Sequence, residues 1–414
     1  MPSLCLYFQV HQPLRVKRYR VFDVGQDHDY FNDNSETNLN NVKVLKKVAD
    51  KSYLPANELL FTLLKKHKDL KLSYSFSGVF LEQIEEHLPA LLHSFQKLVK
   101  TGQVEVLSET YYHSLAFFYS QEEFESQVDL HRKTIKRLFN VKPQVFRNTE
   151  LAYNNQLAWW ADEAGYKAIL AEGWDPVLSW RSPNFVYEPK HNDVEKKDRK
   201  EGIKLLLKNY KMSDDIAFRF SQKTWREWPL TANKFAQWVS DVNGNGQIIN
   251  LFMDYETFGE HQWKEHGIFS FLESLPEEIL KNPDNNFVTP SEAIKKYSAM
   301  DQVDVPHIVT WADSERDLSA WTGNAIQTSA LQEIYTLREK IISSKNRKLI
   351  EDWRKLQTSD HFYYMCTKWH SDGDVHKYFN PYDSPYDAFI SYMNAVSDLK
   401  LRIKKTKKVD KRLR

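Results

Sequence analysis

Several side chains able to move protons or attack carbon stand directly after runs of apolar residues. His11 follows LCLYFQV, Glu105 and Glu109 lie within and just after VEVL, Glu150 follows VFRNT, and Asp254 and Glu256 follow IINLFM. In a parallel α/β barrel the carboxyl ends of all strands share one face, so residues remote in sequence converge there. Any one of these carboxylates reads equally well as an exposed loop residue or a helix cap. Their recurrence at equivalent places favours a site. The pair Glu150 and Asp254 has the chemistry of glycoside hydrolysis: one ionised carboxylate attacks the anomeric carbon and one protonated carboxyl protonates the departing oxygen, at a separation of roughly 5 to 5.5 Å in a retaining enzyme.

The elements that must position these groups are visible as strand-like runs at 4–10, 70–76, 104–107, 145–146, 168–170 and 248–253, separated by helical patterns. Such alternation predicts a parallel sheet or barrel. Ser120 and Glu123 make a capping box ahead of a helix whose Phe124, Val128, His131, Ile135 and Leu138 share a face, and Pro143 ends it. A second helix runs from Asn154 through Trp159 and Trp160 to Gly165, a left-handed stop. Thr289, Pro290, Ser291 and Glu292 announce a third. The segment 188–204 is highly charged and reads as a solvated surface loop. Beyond about residue 317 the strand signal fades and helix dominates, ending in a basic tail at 399–414 that reads as a solvated helix terminus.

Composition narrows the ligand. The 414 residues carry 57 Lys and Arg against 56 Asp and Glu, a net charge of +1, which gives no electrostatic reason to expect a nucleic acid or an anionic membrane as partner. Aromatic residues make up 14%, more than packing usually demands, and their flat rings suit sugar faces. Cys5 and Cys366 lie far apart with no CxxC, so neither a disulfide scaffold nor a cysteine-based zinc site is expected. His11, His113, His261 and His266 show no zinc spacing either, which argues against a metal-dependent deacetylase. The opening MPSLCLYFQVHQP lacks a basic stretch and a small-residue cleavage site, which predicts a cytoplasmic protein. No apolar run reaches the roughly 18 residues of a membrane span. Homo-oligomerisation is not legible in the sequence.

VHQP, GQVEVLSE, FRNTELAYNN, FMDYETFG and FVTPSEAIKKY occur in the order of the five motifs of glycoside hydrolase family 57, and the chain resembles the α-amylase group of that family in particular. Further similar segments, LLLKNYKMSDDIAFRFS, TWADSERDLSAWTGNAIQ and LQTSDHFYYMCTKWHSDGDVHKYFNPYDSPYDAF, carry the resemblance almost to the end. It implies a (β/α)7 barrel, a distorted TIM-like fold, over residues 1–316, followed by a helical C-terminal region, 317–414, that contributes to the cleft. The implied activity is cleavage of α-1,4 bonds in α-glucans with retention and without a cofactor. Glu150 matches the family's nucleophile and Asp254 its general acid/base. His11, Glu105, Glu256 and Asp360 match positions that hold the reacting sugar.

Two departures bear on the reaction. Transferase-type relatives carry His where this chain has Gln9, and Trp near the position of Tyr363, which would supply the stacking face instead. Both favour hydrolysis, yet a 4-α-glucanotransferase or a branching enzyme shares the same covalent intermediate, and a silent glucan-binding protein shares the scaffold. Trp174, Trp263, Trp311 and Trp321 are the best-placed platforms for a pyranose face, against the plainer alternative that each fills core. Trp159 and Trp160 read as helix packing.

Overall fold

The computed structural model describes residues 2–35, 37–190, 202–368 and 373–412. Strand β1 (Ser3–Val10) is buried along its whole length, and its near-continuous apolar sequence suits a strand covered on both faces. It pairs in parallel with β2 (Leu72–Phe76), which pairs with β3 (Val104–Val106). A parallel bridge between Ser108 and Phe146 carries the sheet from the end of β3 to β4 (Val145–Phe146). The sheet continues through β5 (Ala168–Glu172), skips β6 (Val186–Pro189), and passes to β7 (Lys204–Lys208) and β8 (Ile248–Asp254). Because β8 pairs with β1 from Ser3 and Ile248 to Gln9 and Asp254, the ring closes. Among the described residues, seven parallel strands thus form the expected (β/α)7 barrel.

Strand β6 runs antiparallel to β7 outside this ring, and β9 (Asn286–Phe287) and β10 (Gln302–Val303) extend its margins beside β1 and β6. The charged segment expected to be a loop over 188–204 is trimmed at both ends by β6 and β7, and residues 191–201 lie outside the described residues.

Cys5, Tyr7, Leu107, Val145, Leu151, Leu170, Leu206, Phe252 and Ala293 belong to one buried cluster, with Trp311 packed against it. Ala293 comes from the helix Pro290–Lys296, which begins with the predicted capping box: the Thr289 hydroxyl accepts from the Glu292 amide and the Glu292 carboxylate accepts from the Thr289 amide. The Asn154 cap and the left-handed Gly165 also flank the helix Asn155–Glu163 as expected. At Ser120 only half of the box forms, since the Glu123 carboxylate is taken by Arg354 at 2.8 Å and Gln127 at 3.0 Å.

Contacts divide the chain into two units. The barrel unit comprises Met1–His11, Lys46–Glu109 and Leu130–Trp311; the other comprises Gln12–Leu45, Thr110–Asp129 and Ala312–Arg414. The second unit takes in the excursions after β1 and β3 as well, and its C-terminal segment starts at Ala312. Among the described residues no helix is long and apolar enough to cross a membrane.

Inside the second unit, buried Asp398 accepts from the Gly25 amide at 2.7 Å and the Tyr30 hydroxyl at 2.5 Å, tying an early segment to the long helix Pro385–Arg412. His376 Nε2 bonds Asp313 at 3.1 Å, and Cys366 Sγ lies 3.9 Å from the same nitrogen. Lys368 and Glu315 complete the cluster. Burial opposes charge on His376, but Asp313 and the Cys366 sulfur together outweigh it and lift the imidazole from 6.5 to about 9. A raised folded-state value means the stabilisation is complete below about pH 6.5 and is lost as pH climbs through about 9. Thermal melts of His376→Gln should show a deficit against the parent that is largest near pH 6 and shrinks by pH 10; a deficit independent of pH would contradict this ion pair.

Candidate active site

At the carboxyl end of β8, Asp254 leads into the turn Tyr255–Thr257. Glu256 is buried there and accepts from the Tyr53 hydroxyl and from the His11 backbone amide. His11 Nδ1 in turn lies 2.6 Å from Ser77 Oγ. Tyr53 has no exposed surface and closes a π-helical turn, Ala49–Tyr53, with its ring parallel to Tyr255 at 6.1 Å. A one-turn widening of this kind re-aims a side chain, here the phenol onto Glu256. Gly259 serves the same contact. Its φ is +108°, and a Cβ there would overlap the Lys51 carbonyl oxygen within that turn. Burial and the neighbouring Asp254 charge push the Glu256 carboxyl up to about 8, against the pull of the Tyr53 hydroxyl.

A second group forms at the end of β4. The chain turns sharply at Glu150 and Leu151, with φ of +58° and +51°. This left-handed region costs a side-chain-bearing residue roughly 1–2 kcal/mol. The turn is held by Leu151 N to Asn148 O at 3.0 Å, Ala152 N to Thr149 O at 2.9 Å and Asn148 Nδ2 to Ala152 O at 3.0 Å. Tyr153 and Val309 exchange backbone bonds of 2.9 and 3.0 Å, bringing Trp311 alongside. Its amide bonds Glu150 O at 3.3 Å and its indole Nε1 donates to Glu150 Oε2 at 2.9 Å. A bond to an ionised acceptor contributes about 1.5–3 kcal/mol, enough to offset much of the strain.

Two cations attend that indole. Arg147 lies 4.8 Å and Lys208 Nζ 5.4 Å from its ring centre. Lys208 also meets Asp214 at 3.1 Å and Glu172 at 3.6 Å. Arg147 is fully buried, with Glu109 at 4.0 Å. Glu109 accepts from Gln9 Nε2 at 3.1 Å, and Gln9 Oε1 accepts from Tyr7 and Ser75, each at 2.8 Å. Since Gln9 is level with Asp254 in the β1–β8 register, the Glu150 and Asp254 groups occupy the same end of the barrel.

The structure therefore brings Glu150, Asp254, Glu256, His11 and Trp311 to the strand ends. Glu105 lies elsewhere. In register it is level with Tyr7, two residues below Gln9, and its carboxylate accepts from the amide of Ser291 at 2.9 Å and from the Ser291 hydroxyl. Both oxygens are thus engaged by Ser291 of the helix Pro290–Lys296 rather than directed to the level of Gln9 and Asp254. Trp174 caps the short helix Asp175–Leu178 after β5 and is half-buried. Trp263 is 52% exposed, parallel to the His266 ring at 5.7 Å. Trp321 is buried and cannot be a platform. Asp360 and Tyr363, on the helix Ser359–Tyr363, belong to the second unit; one face of Tyr363 is stacked on His376 at 4.5 Å. Sequence reasoning missed Tyr53, Arg147 and Lys208. Arg147 sits inside a quoted motif, yet nothing in its type told a buried cation from a surface one. Among the described residues no group of three or more His, Cys, Asp or Glu is arranged to hold a metal ion.

A closed parallel barrel with carboxylates gathered at its strand ends defines an α/β-barrel enzyme. The profile described as glycosyl hydrolase family 57 matches residues 5–306, and the chain belongs to that family. A Methanocaldococcus jannaschii protein named "Putative alpha-amylase" is 41% identical over 408 residues, which cover 96% of this chain and 84% of that one. The fold is shared with a GH57-type branching enzyme of Pyrococcus horikoshii, 16% identical, at a TM-score of 0.66 over 91% of this chain and 87% of that one. It is also shared with the 4-alpha-glucanotransferase of Thermococcus litoralis, 17% identical, at a TM-score of 0.61 over 87% of this chain and 56% of that one.

The raised Glu256 carboxyl gives a signed expectation. The wild type should lose stability as pH rises from about 4.5 to about 8, while an amide at 256 loses none of it. Glu256→Gln should melt with the parent near pH 4.5 and above it at pH 8.5. A variant less stable than the parent at the higher pH would refute the buried, proton-holding carboxyl.

Proposed function

We propose that this family 57 glycoside hydrolase cleaves α-1,4-glucosidic bonds of starch, glycogen or maltooligosaccharides with retention of configuration. The observation that carries the reading is the presentation of Glu150. A strained turn projects it at the strand ends, and its Oε2 is already held by the Trp311 N–H. Glu150 Oε1 then bonds C1 of the sugar as the glycosidic C1–O bond breaks, and Asp254 gives its proton to the departing oxygen. In the second step Asp254 takes a proton from water, whose oxygen replaces Oε1 at C1 and restores both carboxyl groups. His11 and Glu256 hold the reacting sugar beside Asp254. Trp174 and Trp263 serve as outer platforms. The name of the Methanocaldococcus jannaschii relative supports the substrate class. Two buried free thiols, Cys5 and Cys366, accord with a cytoplasmic setting.

Transfer to a second sugar would use the same glycosyl-enzyme, and similarity to a 4-alpha-glucanotransferase, 23% identical over 67% of this chain, supports it as a second reading. Products from maltoheptaose decide: shorter sugars alone mean hydrolysis, longer ones transfer, and new 1,6 linkages branching.

Glu150→Gln should lower turnover at least a hundredfold while the fold and glucan binding persist, since an amide is nearly isosteric with the carboxylate but a far poorer nucleophile. Proton NMR in the opening minutes of cleavage by the wild type should show the α anomer first. Initial β product would overturn the double displacement, since a single displacement inverts the anomeric carbon.

A further inference from the structure

Trp311 is where a sugar platform was expected, but its surroundings differ from those of a platform. Its N–H is spent on Glu150 Oε2 at 2.9 Å, and its backbone amide on Glu150 O at 3.3 Å. Beside the ring lies Arg147, which has no exposed surface and whose Nε, Nη1 and Nη2 all lack a hydrogen-bond partner. A guanidinium carries five donors, and leaving them unbonded away from water is costly. Its compensation must come from the field of Glu109 at 4.0 Å and from the indole face at 4.8 Å. Lys208 adds a second cation 5.4 Å from the same ring centre. Positive charge near an indole face draws electron density from the ring and makes its N–H a stronger donor.

We propose that Trp311 is a positioning residue for the nucleophile, and that Arg147 is buried in order to hold and polarise its indole. This rests on the reading of Glu150 as nucleophile. The N–H fixes Oε2 at 2.9 Å and so sets the direction in which the carboxylate presents Oε1 to the anomeric carbon. It also favours the full negative charge of the carboxylate over the neutral ester of the glycosyl-enzyme, so the same bond assists the return of the carboxylate in the second step. Arg147 acts one step further back. Without it the indole keeps its place in the packing beside the apolar cluster but loses its orientation.

Two measurements test this, and the first does not depend on turnover. In protein labelled with ¹⁵N-tryptophan, the Trp311 indole N–H resonance, assigned by its loss in Trp311→Phe, should lie downfield. It should move upfield in both Glu150→Gln and Arg147→Met. An unmoved resonance in both variants overturns the proposal, whether or not the enzyme acts on α-glucans. The second is kinetic. Trp311→Phe keeps a ring but removes the donor, so kcat should fall about tenfold to a hundredfold with KM within about threefold. A raised KM with unchanged kcat would instead make Trp311 a sugar platform and sink the proposal. Should Trp311→Phe fail to fold by circular dichroism, Arg147→Lys, which keeps the charge but not the planar stack, is read by the same split. Loss of activity on every glucan in the wild type, with the indole shifts as expected, would overturn the functional reading alone.

Discussion

The carboxyl end of the barrel is organised around a charge that cannot reach water. Arg147 is sealed at the end of β4, and in that low-dielectric setting its charge needs negative charge or π density close by. Glu109 does so on one side and Trp311 on the other. Glu109 is in turn held by Gln9, whose amide is locked between Tyr7 and Ser75, so the demand of one cation propagates through three strands.

Two carboxylate environments result, and they differ in their partners. Glu150 is surrounded by an indole donor with cations behind it. Glu256 is buried next to another carboxylate, with a phenol as its side-chain donor, and holds its proton near neutrality.

Much of this was legible before any coordinates. Long apolar runs marked β1 and β8 because a strand buried on both faces needs no alternation, and Thr289 with Glu292 marked a helix start because the cap is a local hydrogen-bond pattern. The short strand β7 was hidden between lysines next to a charged segment, and β6 was swallowed by it. Motif order located Glu150 and Asp254 but not Tyr53, whose role depends on a π turn that no periodicity announces. Motif order could not tell that Glu105 sits two residues of register below Gln9, with its carboxylate on Ser291. Trp311 was expected as a flat face, and the decisive feature is its edge.

Gly259 touches none of the proposed reacting groups, yet it guards the phenol that holds Glu256. Any side chain there would collide with the Lys51 carbonyl and displace the turn that ends in Tyr53. Drift at this position is thus closed by a partner two hundred residues earlier, and the two segments must be inherited together. Homologues free to vary at one should be found to vary at the other, so the glycine records the history of a phenol rather than the needs of its own loop.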